Sequence, residues 1–173
     1  MSSKSDAPSG SSSPLASEFS DDTITALGLL TIASSHAEHA VFMQTQRLLS
    51  HPDPIDIVTY VVLHGVQMQP LLGQARALTY VKVQPLHQDP VFRALNKIQE
   101  TYTLRNDIIH GAMLAESDGI SIVRFPLKKG KKQPRLKRTV SDIFRIASDM
   151  IDYCQDLDVS LTAAGIRRLS ELP

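Results

Sequence analysis

The sequence has a single cysteine, no tryptophan and no surplus of either charge, eighteen Lys and Arg balancing eighteen Asp and Glu over 173 residues. With Cys154 alone, an internal disulfide framework and a cysteine-based metal site are both excluded, and the composition fits a reducing compartment. Because the charges balance, any attraction to nucleic acid or an anionic membrane must come from how charge is distributed along the chain. No segment approaches the ~18 apolar residues needed to span a bilayer, and the first residues hold no apolar stretch resembling a signal peptide. A cytoplasmic protein that does not engage membranes is the expectation. The eight glycines and ten prolines fall mostly at segment edges, and no internal repeat is visible. What the chain does have is 42% hydrophobic residues, enough apolar material for the core of one ordinary domain.

Residues 1–19 contain eight serines and few apolar side chains, a composition that cannot offset the entropy of ordering it, and are expected to form a disordered tail. A single helical domain is expected over 20–170. From Asp21 or Asp22, either a suitable N-cap, Ile24, Leu27, Leu30, Ala33, Ala37, Ala40, Val41 and Leu48 recur at mostly three- and four-residue steps and predict a long helix ending near Ser50. Asp53-Pro54 starts a second helix carrying Ile55, Ile57, Val58, Val61 and Val62, interrupted at Gly65 and Pro70. A third runs from Leu71 to about Val83, where Pro85 stops it. Asp89-Pro90 repeats the start signal for a fourth, with the stripe Val91, Leu95, Ile98, Tyr102, Ile109 and an end at His110-Gly111, where glycine suits a left-handed C′ position. The helical period is then lost. Ile120 and Ile122 alternate with Ser121, and 134–140 offers a returning strand, so a β-hairpin with a basic tip is expected. Ser141 caps a last helix with the stripe Ile143, Phe144, Ala147, Met150, Ile151, Cys154, Leu157. The fold class is all-α: a bundle of four to five helices with one small inserted β-hairpin.

The fourth helix carries the residues with chemistry. On a wheel of roughly 100° per residue with Arg105 at zero, Asn106 lies near 100° and His110 near 140°, while the apolar stripe centres near 40°. Arg105 and Asn106 therefore flank an apolar face, where a guanidinium and a carboxamide are costly unless partnered or facing a polar cleft. Asn106 and His110 are i,i+4 neighbours, so the amide is placed to orient the imidazole. Imidazole exchanges protons near neutral pH, and a guanidinium stays cationic and forks onto phosphate oxygens. These are the parts of a phosphodiester-handling site. The plainer reading is an Arg salt-bridged within the bundle and a His near a helix end followed by its glycine cap.

Arg105-Asn106-Asp107-Ile108-Ile109-His110-Gly111, late in a helix of an all-α domain of this length, resembles the HEPN superfamily, whose signature is Arg, four to six residues, then His, commonly with a polar residue after the Arg. The long first helix, the break at Gly65, the Asp-Pro start of the motif helix and the strand-like excursion before a last long helix extend the resemblance over about residues 22–160. It implies a metal-independent endoribonuclease of toxin or defence type, needing no cofactor and acting as a homodimer whose two motif helices meet. Arg105, Asn106 and His110 would be its catalytic positions: His110 as general base or acid for 2′-hydroxyl attack, Arg105 stabilising charge on the phosphoryl oxygens, Asn106 holding His110 or the phosphate. The partners implied are RNA, a second copy and a possible antitoxin or regulatory protein. Ala112 stands where HEPN toxins paired with nucleotidyltransferase antitoxins often carry Tyr, so that particular pairing is not supported. The rival reading is a non-catalytic HEPN-like dimerising or RNA-binding adaptor.

Between Arg124 and Arg138 there are eight basic residues and no acid: Arg124, Lys128, Lys129, Lys131, Lys132, Arg135, Lys137 and Arg138. Eight charges on one protrusion with Gly130 at its apex would attract phosphate with a steep salt dependence, and the absence of aromatics from 126 to 143 points to sequence-independent contact. The simpler alternative is a solvated hairpin tip. His36 and His39 lie near one another on the first helix, but nothing specifies the further ligand zinc would need, and ordinary surface histidines with no metal are expected. Glu38 sits near the apolar residues Ala37 and Ala40 to Phe42, where a half-buried carboxylate needs a cation; Arg105 or His110 is the candidate. Cys154 reads as an inert core residue.

Overall fold

The computed structural model describes residues 18–50, 63, 65–123 and 135–167. Among these residues the chain forms four helices, α1 (Asp21–Leu49), α2 (Met68–Lys82), α3 (Pro85–His110) and α4 (Val140–Ala163). Between α3 and α4 lies an antiparallel sheet of β1 (Ala112–Glu116), β2 (Gly119–Val123) and β3 (Leu136–Thr139) in the order β1-β2-β3. The all-α class with a small β insertion holds. The sheet, however, has three strands where a two-stranded hairpin was expected, because β1 pairs with β2 through the two-residue connection Ser117-Asp118, with Glu116 opposite Gly119. The helix expected from Asp53-Pro54, the tail up to Ser17 and the stretch from Arg124 to Pro134 lie outside the described residues.

Each boundary has a local cause. Ser20 is the N-cap of α1, its hydroxyl accepting from the Thr23 amide at 3.2 Å, so Asp21 and Asp22 fall in the first turn, where their charge opposes the helix dipole. Phe19, placed in the tail by composition, packs against the core. Pro70 falls in the first turn of α2, where its missing N–H costs nothing, and Gly65 (φ +79°) makes the left-handed step before it. α3 begins at Pro85, not at Asp89-Pro90. The Gln88 side chain donates to the Val83 carbonyl at 2.8 Å and the Tyr80 carbonyl at 3.2 Å, bracing the α2–α3 corner, and Pro90 is absorbed inside α3. α4 is capped by Thr139, not Ser141. Its hydroxyl accepts from the Asp142 amide at 3.1 Å while the Asp142 carboxylate accepts from the Thr139 amide at 3.2 Å, a reciprocal capping box.

The core draws Leu30, Val41, Leu95, Ile98, Met150 and Leu157, among others, from three helices. Fully burying each side chain of this size contributes roughly 1.5–3 kcal/mol. In α1 the stripe runs through Ala26, Ala33 and Ala37, which lets neighbouring helices approach closely, and Ile24 is left exposed. In α3 Ile108 is fully buried and Ile109 only partly. Gly111 does not take the expected left-handed conformation: its backbone is extended (φ −80°, ψ 160°). Glycine is needed there for closeness, since a Cβ would collide with the Ile122 side chain and lie 2.8 Å from the Asp107 carbonyl. That contact seats β2 against the end of α3, beside His110.

Candidate functional site

The last two turns of α3 face a cleft of about 800 Å³ bounded by α1, by α2's first turn and by the segment leading into α2. Arg105, Asn106 and His110 all line it, together with Glu38 and His39 of α1, Met68 and Gln69 of α2 and its N-cap residue Gln67. The three residues singled out by the motif are thus brought to one cavity, and Glu38 joins them.

Their contacts differ from the expected ones. The Asn106 side-chain carbonyl accepts from Arg105 Nη1 at 2.9 Å, so the amide orients the guanidinium and not the imidazole of His110. The guanidinium carbon stands 5.5 Å from the centre of the Tyr102 ring, on whose face it gains cation–π attraction. Arg105 Nε is buried without a hydrogen-bond partner, and among the described residues no carboxylate lies within ion-pair distance of Arg105. Half-buried and un-neutralised, this cation is in debt for its desolvation, which an anion entering the cleft would relieve. His110, at the end of α3, is exposed.

Glu38 was expected to be half-buried against Arg105 or His110. It is an exposed residue, and its partner is Tyr102, whose hydroxyl donates to Glu38 Oε1. Tyr102, read from sequence only as part of the core stripe, is therefore the residue that sequence reasoning missed. It joins α1 to α3, holds the Glu38 carboxylate and lies under Arg105. Burial above all, then the hydrogen bond and charge of Glu38, push the Tyr102 phenol up to about 12, against a smaller downward pull from Arg105, so it stays protonated at neutral pH. The three-residue spacing of Tyr102 and Arg105 on one helix was the available signal.

His36 and His39 diverge. His39 lines the cleft, whereas His36 lines a groove between α1 and α4. Among the described residues no group of three or more His, Cys, Asp or Glu is arranged to hold a metal ion. Cys154 is buried, and desolvation pushes its thiol up to about 12, which makes it a poor nucleophile.

Of the basic run, Arg124, Lys128, Lys129, Lys131 and Lys132 lie outside the described residues. Arg135 and Lys137 are exposed, and Arg138 is half-buried with its Nε unpartnered. An acid from elsewhere in the chain enters this region. Lys137 Nζ lies 3.8 Å from Glu116 Oε2 of β1, and the carboxyl of Glu116 is held below its ordinary range, first by the Ser121 hydroxyl at 2.5 Å and next by Lys137. No helix among the described residues is long and apolar enough to cross a membrane. No family model, curated protein or solved structure matches this chain.

Proposed function

We propose that the cleft is the active site of a metal-independent endoribonuclease of HEPN type, cytoplasmic and of toxin or defence character. The observation that carries the reading is the Arg105 guanidinium: it lines an open cleft beside Asn106 and His110, and among the described residues no carboxylate lies within ion-pair distance of it. A cation in that condition favours an anionic ligand, and the imidazole on the same helix supplies the proton transfer that phosphodiester cleavage needs.

In this reading a phosphate of RNA seats on Arg105, whose orientation is fixed by Asn106 and by the Tyr102 ring. His110 removes the proton from the ribose 2′-hydroxyl or delivers one to the departing 5′-oxygen. The hydroxyl oxygen bonds to phosphorus as the P–O5′ bond breaks, and Arg105 stabilises the charge that grows on the non-bridging oxygens. One His performs one of the two proton transfers. A second copy, packed through the motif helix, supplies the other, which is the reason for proposing a homodimer. The basic residues from Arg124 to Arg138 add long-range attraction for the polyanion. An antitoxin or regulatory partner belongs to the same proposal.

The test is incubation of the purified protein with total RNA in EDTA. Cleavage is expected, and His110→Ala or Arg105→Ala is expected to lower it by a factor of ~100 or more, the usual worth of a proton-transfer or charge-stabilising group, with the helical circular-dichroism spectrum unchanged. Cleavage that persists in either variant removes the catalytic assignment. RNA binding without cleavage by the parent protein favours the adaptor reading instead.

A further inference from the structure

α1 and α4 run in the same direction: Gln44 bonds to Asp158 at 3.2 Å, while Arg47, one turn further on, bonds to Thr162 at 2.9 Å. Between them lies a groove of about 380 Å³ lined by His36, Ala40, Gln155 and Val159 among others. Leu29 and Ile32 of α1, and Phe144, Ile151 and Val159 of α4, stand along this side, between 37% and 66% exposed. They are five of the ten large hydrophobic residues exposed among the described residues. On α4 the three recur at intervals of seven and eight residues, which puts them on one helical face. The core does not need them, because α4 already buries Ile143, Ile146, Met150, Leu157 and Leu161.

Carboxylates outnumber cations beside this stripe, although Arg145 lies on the same flank of α4 and Lys97 of α3 stands 4.7 Å from the centre of the Tyr153 ring. Asp149, Asp152 and Asp156 follow the adjoining flank of α4, and none has a cation within ion-pair distance among the described residues. The two helices together carry eight carboxylates against two arginines. Neither arginine offsets the row, since Arg47 is buried against Asp158 and Arg145 pairs with Asp142.

We propose that this face docks a basic amphipathic helix of a protein partner. The partner's apolar stripe would lie along the α1–α4 seam, with one side chain anchored in the groove, and its Lys or Arg residues would meet Asp149, Asp152 and Asp156. The dimensions agree: at about 1.5 Å per residue α4 offers ~36 Å of length, and the seam between two adjacent helices seats one partner helix ~10–12 Å across. A second copy of this chain is the wrong occupant, because it would bring two rows of aspartates together. The inference is independent of the nuclease reading, as no residue of the cleft takes part.

A fluorescent ~18-residue peptide of leucine and lysine, its leucines spaced to form one helical stripe, serves as the probe. It is expected to bind the full chain with an affinity that falls steeply with salt and with amide chemical-shift changes confined to the outer faces of α1 and α4. The paired change Ile151→Lys and Val159→Lys, both at exposed positions, is expected to weaken binding at least about tenfold. Asp152→Lys with Asp156→Lys is expected to reverse the preference, toward a leucine–glutamate peptide of the same pattern. Equal binding of a scrambled leucine–lysine peptide, shift changes elsewhere on the protein, or indifference to the charge reversal would overturn the proposal. So would self-association in sedimentation that Val159→Lys abolishes, since the face would then pair two copies of the chain.

Discussion

Replacing Arg47 by Met keeps an apolar stem in place and removes only the guanidinium, a clean perturbation of the junction between the C-terminal ends of α1 and α4. The Arg47 side chain is 2% exposed. Nε donates to the Arg167 carbonyl at 2.8 Å, Nη1 to Gln44 at 3.1 Å and Asp158 at 2.8 Å, and Nη2 to Thr162 at 2.9 Å and the Ile166 carbonyl. The carbonyls lie just past α4, where Gly165 (φ +76°) turns the chain back and the Ile166 amide reaches the Leu161 carbonyl, a Schellman closure with Ile166 buried on Leu161. Without the guanidinium, two carbonyls lose their donor together, and the Asp158 carboxylate loses its cation while keeping the Gln44 amide.

Breaking a fully buried ion pair by removing one partner costs ~3–5 kcal/mol, and an unsatisfied buried carbonyl adds ~1 kcal/mol or more. The Asp158 side chain is 30% exposed, so water recovers part of its solvation and the lower end applies. The expected loss for Arg47→Met is about 3 kcal/mol, a large share of the ~5–15 kcal/mol that holds a domain together. Asp158→Asn keeps the shape and an acceptor but deprives the Arg47 charge, 2% exposed, of the Asp158 counter-ion, and is expected to cost at least as much. Urea unfolding followed by circular dichroism reads both, and a thermal midpoint lowered by roughly 6–12 °C accompanies the first. A loss below ~1 kcal/mol for Arg47→Met would show that the network is offset by its own desolvation, and would refute the reasoning.

Gly111→Ala is expected to destabilise by ~2 kcal/mol or more, because the added methyl meets the Ile122 side chain and the Asp107 carbonyl; urea unfolding measures it, and a neutral result would mean that β2 shifts freely. Tyr102 governs alkaline behaviour. Its folded pKa of about 12 lies above the unfolded value, so its contribution is complete below pH ~10 and is lost as pH rises through about 12. Glu38→Gln is expected to bring the ultraviolet tyrosinate transition of Tyr102 to lower pH, and Tyr102→Phe to remove it; an unmoved transition in Glu38→Gln would deny the carboxylate its part.

Much of the architecture was legible because periodicity and caps pointed the same way. α1 ends where its apolar stripe gives out, and Arg105, Asn106 and His110, grouped by their spacing on one helix, line one cleft. The misplacements have separate causes. β1 escaped notice because Met113, Leu114 and Ala115 run without alternation, although Asp118-Gly119 is a strong turn signal. The start of α3 was set too late because Asp89-Pro90 mimics a cap, while the true start relies on Gln88 reaching back to carbonyls of the preceding corner. Thr139-x-x-Asp142 was a readable capping box passed over for a nearer serine. Glu38 and Tyr102 lie sixty-four positions apart, and no local pattern announces a bond across that distance.

β2 and β3 are hydrogen-bonded neighbours, with Ile122 opposite Leu136, so the two chain ends that flank residues 124–135 are held close together. Chain length inserted between two such anchored ends costs little, about 0.6 kcal/mol for each doubling. Related chains are therefore free to lengthen, shorten or recharge the sequence between these two strands while the helices keep their places.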